Sequence, residues 1–353
     1  MTSRKRVLQA IAHQPTDRAP ADYGAIPAVT DALIRKLGVA DTEELLVALG
    51  VDMRRIGFNY GQPDTGPDAG GYLRTMWGAR RRKDDPGDGQ PNFIPPFNEE
   101  TTVDEVHAHA WPDAGRLDYS GVREQCRKHH EEYATFGAPW SPFFHEVGWL
   151  IGQEEFMMWM HTKPEVIRAI IDHVVDYEVE ATRRFFQAAD GLLDIAYFGN
   201  DFGTQRGMFI SPRMWNEFIR QPLKRYFDAS HDYGCKVMNH SCGAIRDIIP
   251  SLIADGVDIL DPIQVAATGM DLAGLVRDYG GAVAFHGGVD TQRTLPFAAP
   301  EQVAAEVRER IRIFAPGGGF VFNPIHNIQQ GTPPANIVAA YDAAREAGVY
   351  PIR

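Results

Sequence analysis

A repeated alternation of short apolar runs and amphipathic helices is the feature that most constrains the fold of this chain. In the second half, five apolar runs are each followed by polar or Gly-rich residues and then by a helical pattern. These runs are residues 193–198, 236–239, 257–260, 282–285 and 320–322. Continuous apolar runs of this length are typical of strands buried on both faces of a parallel sheet. Less regular strand candidates are residues 19–23, 55–59 and 133–137.

Eight strand–helix units in a chain of 353 residues predict an α/β fold, a single (β/α)8 TIM barrel over residues 1–353. Prolines mark several of its helix starts, because proline is tolerated at the first helical position. We predict helices beginning at Pro164, Ser211-Pro212, Pro300 and Pro333-Pro334, with a kink at Pro222.

Residues 61–98 interrupt the repeated pattern. They are rich in Gly, Pro and Asp and have no helical periodicity, although residues 72–78 fit one arm of a hairpin. A long loop inside a compact domain is often a lid or a binding loop. A passive insertion explains the composition equally well, so both interpretations stay open.

The charge balance and the few cysteines exclude several classes of protein. The net charge is −12, which argues against a broad nucleic-acid footprint and against binding to an anionic membrane surface. No apolar run approaches the roughly 20 residues that span a bilayer, and the N-terminus fits a surface helix better than a signal peptide. Three cysteines, Cys126, Cys235 and Cys242, argue against a disulfide framework. We therefore expect a cytoplasmic enzyme with a small-molecule substrate.

Polar residues follow each of the five apolar runs, at the strand ends where a barrel of this class has its active site. The segments are 200–201, 240–243, 261–262, 286–290 and 324–327. Among them we predict Asp201 and His286 as catalytic residues, Asp201 as a general acid or base or a substrate anchor. A cap on the following turn is the alternative for Asp201, and packing below the rim is the alternative for His286. The residues expected to bind substrate are Tyr23, Gln205, Gln264, Asp290, Asn327 and Gln329.

The pair His240 and Cys242 is the sharpest chemical signal. Residues two apart at a strand end point to the same side, so both side chains can reach one ion. An imidazole nitrogen and a thiolate suit Zn²⁺, which takes tetrahedral N, S and O ligands. Two ligands are too few, and we predict Asp261 and His326, from neighbouring strands, as the others. A hydrogen-bonded histidine beside an inert buried cysteine is the structural alternative.

Short motifs spread over nearly the whole chain are together similar to one family of barrels. They are residues 2–7, 17–20, 77–78, 111–113, 200–205, 210–212, 240–243, 261–264, 287–290, 323–329 and 333–337. With these motifs the chain resembles the uroporphyrinogen decarboxylase superfamily. That group includes the heme-pathway decarboxylase and zinc-dependent, corrinoid-linked methyltransferases.

The resemblance favours the methyltransferase branch. The heme decarboxylase holds its substrate carboxylates with an arginine-rich segment after the first strand, whereas residues 21–26 here contain no arginine and the next is Arg35. The methyltransferases carry a His-x-Cys pair as zinc ligands, which matches His240 and Cys242. Their later cysteine is missing from residues 316–319, so His326 is the expected replacement. His326 also falls where the decarboxylases carry a late histidine.

The resemblance thus implies zinc-dependent methyl transfer, with a corrinoid on a separate partner protein and a methylated or a thiol or oxygen substrate. A homodimer is the form common among such relatives. Metal-free decarboxylation of a small or tetrapyrrole carboxylate is the first alternative, with Asp201 and His326 moving protons and Arg206 holding the acid. A barrel that binds a corrinoid or tetrapyrrole without turnover is the second alternative.

Overall fold

A curled parallel sheet forms the centre of the computed structural model, which describes residues 1–58, 67, 69–82 and 93–352. Seven parallel strands lie side by side in the order β1, β4, β5, β6, β7, β8 and β9. They are β1 Met53–Arg55, β4 Ala134–Gly137, β5 Ile195–Gly199, β6 Lys236–His240, β7 Ile259–Asp261, β8 Ala284–Val289 and β9 Phe320–Pro324. The five apolar runs are all strands, and the predicted barrel-like α/β fold is confirmed.

The eighth position of the barrel is filled by a segment only one bridge long. Ala21 forms a parallel bridge with Phe322 of β9, and the amide of Asp22 donates to the Phe322 carbonyl at 2.8 Å. On the other side, the amide of Asp52, next to β1, donates to the Ala21 carbonyl at 2.8 Å. The predicted strand near residues 19–23 is therefore the closing element between β9 and β1.

A buried aspartate holds the closing segment in place. Asp52 is fully buried and accepts from Arg6 at 2.6 Å and from Arg18 at 2.8 Å. Its second oxygen also accepts from the Ala21 amide at 2.9 Å. Arg6 in turn pairs with Asp17, which raises the pKa of Arg6 and lowers that of Asp17 to about 2. The first two motifs of the family resemblance thus close the barrel.

Helices surround the sheet, and none among the described residues has the length and hydrophobicity to cross a bilayer. They are α1 Ser3–Ile11, α2 Pro27–Leu37, α3 Thr42–Leu49, α4 Val103–Ala108, α5 Val122–His129, α6 Phe143–Ile151, α7 Gln153–Thr162, α8 Pro164–Ala189, α9 Pro212–Met214, α10 Arg220–Asp232, α11 Ile249–Ala254, α12 Leu272–Tyr279, α13 Thr294–Phe297, α14 Pro300–Phe314 and α15 Pro334–Ala347. The predicted helix starts are confirmed, and the Ser211 hydroxyl caps α9. A π-helical turn, Trp215–Ile219, precedes Pro222, which has no N–H to continue a regular helix.

The region after β1 differs from the prediction. The strand predicted near residues 55–59 overlaps the observed β1 only at Arg55, where the pairing with β4 ends, and residue 59 lies outside the described residues. At Gly57 the backbone instead exchanges hydrogen bonds with the side chain of Gln125. The predicted hairpin is present as β2 Tyr72–Arg74 paired antiparallel with β3 Arg80–Arg82. The rest of the predicted lid falls partly on residues 59–66, 68 and 83–92, which lie outside the described residues.

The barrel interior is built as two layers. The lower layer is an apolar cluster that includes Val7 and Ile11 of α1, which plug the N-terminal end of the barrel. Its strand residues are Met53, Ala134, Phe136, Ile195, Met238, Ile259, Ala284 and Val321. Because side chains alternate across a strand, residues two positions further along face the same interior. At six of these positions the side chain is polar: Arg55, Tyr197, His240, Asp261, His286 and Asn323.

Candidate active site

A line of alternating acids and imidazoles crosses the polar layer. Asp22 of the closing segment lies 3.2 Å from His286 Nε2, and His286 Nδ1 lies 2.5 Å from one oxygen of Asp261. The other oxygen of Asp261 lies 2.7 Å from His240 Nδ1 and accepts from the Tyr197 hydroxyl at 2.7 Å. Every carboxylate in this line is therefore held by at least one histidine.

These contacts overcome the effect of burial on the ionisable groups. Burial alone would raise the pKa of Asp261, but the charges and hydrogen bonds of His286 and His240 hold it well below its usual range. Burial would likewise lower the pKa of His286, yet Asp261 and Asp22 raise it to about 9. The pKa of His240 is also raised well above its ordinary value. In the metal-free protein, the negative charges of the carboxylates in this line are therefore balanced by the positive charges of the imidazoles.

Three possible metal ligands meet above this line. One donor atom each from Asp201, His240 and Cys242 lies within 4.8 Å of the others, and we call these residues the triad. His240 Nε2 lies 3.5 Å from an Asp201 oxygen and 3.5 Å from Cys242 Sγ. Since His240 Nδ1 faces Asp261, the two ring nitrogens have separate partners. This is the arrangement of a metal-ligating histidine that a carboxylate orients from behind.

The triad is assembled by two loops that cross in close contact. Gly203, after β5, and Gly243, after β6, approach so closely that a Cβ on either would lie under 3 Å from the backbone of the other loop. Gly243 also has a φ of +85°, which favours glycine. The Ala244 amide donates to the Thr204 carbonyl at 2.8 Å across this crossing. The two glycines thereby bring the residues at positions 201 and 242 together.

Asp201 is held as an anion at the crossing. One of its oxygens accepts from the Cys242 amide at 2.8 Å. Burial raises the pKa of Asp201, but the hydrogen bonds from His240 and from this amide outweigh it and hold the pKa well below the usual range. Burial raises the pKa of the Cys242 thiol, and His240 only partly offsets this effect. A bound cation would favour the thiolate.

An aromatic ring covers the triad from the side of β4. The ring of Trp140 lies 5.4 Å from the ring of His240 and 5.1 Å from that of Tyr197, measured between centroids. It rests on Gly199, where a Cβ would lie 1.9 Å from a ring atom, so only glycine fits. The indole limits the directions from which a ligand can reach His240.

Two cavities open on the two sides of the His240–Cys242 pair. The first cavity, of about 350 Å³, is lined by Arg55, Trp140, Tyr197, His240, Asp261, Asn323, Pro324, Ile325, His326 and Asn327. The second cavity, of about 240 Å³, is lined by Cys242, Gln264, Thr291, Gln292, Ile325, His326 and Gln329. Ile325 and His326 belong to both linings and separate the two spaces.

The predicted metal ligands lie at different positions relative to the triad. His240 and Cys242 lie together as expected, and the third member beside them is Asp201, which we predicted as catalytic. Asp261 lies outside the triad because both of its oxygens face the line of histidines. His326 is exposed on the rim, and its Nδ1 contacts the Asn327 carbonyl at 3.3 Å. His286 is buried beneath the rim and lines neither cavity.

Three of the residues predicted to bind substrate line a cavity. Asn327 lines the first cavity, and Gln264 and Gln329 line the second. The Gln264 side chain also accepts from the Gly243 amide at 2.7 Å, which supports the loop that carries Cys242.

The other three have local partners and line neither cavity. A carboxylate oxygen of Asp290 accepts from the amides of Gln292 and Arg293, as a turn cap does. The Tyr23 hydroxyl contacts the Thr30 hydroxyl at 3.1 Å. Gln205 is exposed and contacts the side chain of Gln292 at 3.4 Å.

Sequence reasoning missed several residues of the site. Arg55, Tyr197 and Asn323 each follow an apolar interior position by two residues, so the strand alternation could have identified them. Asp22 and Trp140 carry no such signal, because their places depend on the closing segment and on the loop after β4.

Comparisons with known proteins agree with this architecture. A profile described as "Uroporphyrinogen decarboxylase (URO-D)" matches residues 83–347. A uroporphyrinogen decarboxylase of Janthinobacterium sp. (strain Marseille) is 25% identical over 74% of this chain and 71% of its own length. Those of Azoarcus sp. (strain BH72) and Herminiimonas arsenicoxydans are 38% and 34% identical, but the matches cover only 25% and 42% of those proteins.

A solved structure shares the fold at low identity. It is described as a methyltransferase from Methanosarcina mazei and superposes with a TM-score of 0.64 at 16% identity, over 98% of this chain and 99% of its own. Since the family profile matches well over half of the residues, the chain belongs to the uroporphyrinogen decarboxylase family.

Proposed function

We propose that this chain is the zinc-dependent component of a methyl-transfer reaction, with the triad Asp201, His240 and Cys242 as the metal site. The observation that carries the proposal is the convergence of these three donor atoms within 4.8 Å. Zinc that is bound by three protein ligands keeps a fourth position for substrate, which is the pattern of catalytic rather than structural sites.

The donor set fits zinc in its chemistry. One imidazole nitrogen, one thiolate and one carboxylate are all ligand types that Zn²⁺ accepts. Cavities on both sides of the His240–Cys242 pair give a substrate access to the ion. Zinc bound there would act as a Lewis acid that lowers the pKa of a substrate hydroxyl or thiol.

The residues around the triad prepare it for this role. Asp261 accepts from His240 Nδ1, which fixes the ring and leaves Nε2 facing the other two donors. The hydroxyl of Tyr197 holds Asp261 in turn. The low pKa of Asp201 suits an anionic ligand better than a proton donor. We therefore assign Asp201 to the metal and Asp261 to the orientation of His240.

A methyl-transfer reaction has a substrate and a methyl carrier, and the two cavities would give each of them a separate approach to the metal site. We propose that the methylated or acceptor substrate occupies the first cavity. A methyl carrier, which the family resemblance indicates is a corrinoid protein, would approach the Cys242 side. The three cysteines are all free, and we propose that the enzyme works in the reducing cytoplasm, where the Cys242 thiol stays available.

The test is zinc content in the purified, untagged protein and in two cysteine variants. We expect about one equivalent in the wild type and in Cys235→Ser, whose buried thiol lies outside the triad, and almost none in Cys242→Ser. Unchanged zinc content in Cys242→Ser, or a wild type that binds no zinc even when zinc is offered, would contradict the proposal.

Metal-free decarboxylation is the second candidate, and the raised pKa of His240 favours it. A protonated imidazole on the wall of the first cavity could donate the proton that replaces a lost carboxyl group. Release of carbon dioxide by the metal-free protein would support decarboxylation. The same result would contradict the assignment of methyl transfer.

A further inference from the structure

One guanidinium group faces the first cavity and has no acidic partner among the described residues. Arg55 is the last residue of β1, and its guanidinium lies 5.7 Å from the centroid of the Tyr197 ring. No ion pair joins it to any residue in the described part of the chain. Among the described residues, it is also the only lysine or arginine that lines either cavity. The positive charge of Arg55 is therefore directed to a space that a ligand can enter.

The neighbouring residue, Arg54, has a structural role and serves as a comparison. Arg54 is 3% exposed, holds the Glu43 carboxylate with both arms of its guanidinium and lies over the Tyr133 ring at 3.6 Å. Arg55 points to the opposite side of the strand and is exposed. The nearby carboxylate of Asp261 already has partners on both oxygens, so it does not explain the presence of Arg55.

A second polar group in the same cavity also lacks a partner. Asn323 of β9 is 9% exposed and lines the first cavity. Its amide oxygen has no hydrogen-bond partner among the described residues. A buried acceptor that stays unsatisfied is costly, so a donor group from a ligand or a water molecule would stabilise this oxygen.

The size and the walls of the cavity limit the ligand further. A volume of about 350 Å³ is at the lower end of the range for small-molecule sites. Trp140, Tyr197 and His326 give the space aromatic walls. A small molecule with one anionic and one donor group matches this lining.

We propose that the substrate of the first cavity is a small carboxylic acid that also carries a hydroxyl group. The carboxylate would pair with the Arg55 guanidinium, whose planar fork matches a carboxylate, and the hydroxyl would donate to the Asn323 oxygen. This proposal names the substrate class of the site proposed above, and for the reaction it rests on that proposed function.

The experiment for Arg55 compares matched acids and amides by isothermal titration calorimetry on zinc-loaded protein. The probes are benzoate against benzamide, and cyclohexanecarboxylate against its amide. We expect the wild type to bind each acid at least about tenfold more tightly than its amide. Arg55→Gln should abolish this preference, and Arg55→Lys should retain part of it. Arg213→Gln, at an arginine whose side chain is 75% exposed and which lines neither cavity, should leave the preference unchanged.

The test of Asn323 compares the binding of the three hydroxybenzoates with the binding of benzoate. At least one isomer should bind more tightly than benzoate, and Asn323→Leu should remove that gain while keeping the preference for acids over amides. The same thermal unfolding midpoint in both Arg55 variants and the wild type would show that the fold is retained.

Three outcomes would overturn the proposal: no binding of any acid at millimolar concentration, equal binding of acids and amides, or a preference that survives in Arg55→Gln. Titrations of chelator-treated protein separate this proposal from the zinc assignment. An Arg55-dependent preference in a protein that binds no zinc would support the carboxylate site and overturn the metal site.

Discussion

Two buried clusters of ionisable groups in this molecule handle charge in opposite ways. In the barrel, the acids Asp22 and Asp261 alternate with the imidazoles of His286 and His240. In the helical layer, Glu178 of α8 lies against a second acid, Glu146 of α6. The first cluster balances unlike charges, whereas the second brings like groups together.

The acid pair in the helical layer avoids charge. Glu178 is fully buried, and one of its oxygens accepts from the Tyr226 hydroxyl of α10. Burial first, and the neighbouring Glu146 next, raise the pKa of Glu178 well above its usual range. Two carboxyl groups that share such a site cannot both ionise readily. The neutral form of Glu178 is therefore favoured, and its carboxyl group lies where α6, α8 and α10 meet.

The comparison shows that burial does not decide protonation by itself. Burial is the largest influence on both Asp261 and Glu178, yet their pKa values move in opposite directions because their partners differ. Charge is kept at the strand ends, where the candidate site needs it. Charge is suppressed between the helices, where only packing is required.

Removing the central acid of the barrel should have the largest effect. Asp261→Ala leaves two buried imidazoles without their shared carboxylate, and we expect the free energy of unfolding to fall by about 3–5 kcal/mol. Zinc affinity should also fall by about 10–100-fold, because His240 loses the group that orients it. Chemical denaturation and metal titration measure the two effects.

Asp258→Ala is the matched control near the opposite end of β7. Asp258 also holds a histidine and a lysine, His231 and Lys236, but its side chain is 20% exposed. We expect a loss of about 1 kcal/mol at most from its ion pairs. Equal losses in the two variants would mean that the barrel cluster is an ordinary ion-pair network.

The next effect is a pH dependence that His286 contributes. Its pKa of about 9 in the folded protein lies above the ordinary 6.5, so protonation stabilises the fold. The contribution is complete below pH 6.5 and is lost as the pH rises through 9. For metal-free protein we expect about 3 kcal/mol over this window, absent in His286→Gln. Urea unfolding of both proteins from pH 6 to 9.5 tests this, and parallel profiles would contradict it.

The last predicted effect separates the acid pair from the barrel cluster. Because the pKa of Glu178 is raised, the folded protein holds a proton that the unfolded chain releases above pH 4.5, and stability falls as the pH rises from there. Glu178→Gln keeps the neutral shape without titrating. The variant should therefore gain stability over the wild type, by up to about 1.4 kcal/mol per pH unit.

Glu180→Gln, on the exposed side of the same helix, is the control. Glu180 pairs with Arg184 at the surface, and its replacement should change stability by no more than about 0.5 kcal/mol at any pH. If Glu178→Gln behaves like this control, the Glu146 and Glu178 pair holds no additional proton in the folded protein.

Prediction from the sequence succeeds where chemistry follows strand periodicity. His240 and Cys242 lie two residues apart at a strand end, and the local geometry alone puts them on one side. The five apolar runs likewise predict the strands of the second half. Asp261 has its predicted place at the end of β7, but the direction of its carboxylate depends on two histidines of neighbouring strands.

The rest depends on contacts between distant segments. Asp201 joins the pair only because Gly203 and Gly243 let two loops cross, and neither glycine indicates this by itself. Arg6 and Arg18 belong to motifs shared with the family, yet their partner is the structural Asp52 rather than a ligand. Similarity of motifs therefore identifies the fold more directly than it identifies the chemistry.

The one-bridge closing segment has a consequence for how the protein acquires its site. The contact between Asp22 and His286 joins residues 264 positions apart in the chain. A contact of such long range must wait until the intervening chain is ordered, since closing a long loop costs entropy before it returns stabilisation. During synthesis the N-terminal segment emerges first but completes its pairing only after β9 has formed. The site is therefore fully oriented only after the barrel has closed, so a complete site indicates that folding is finished.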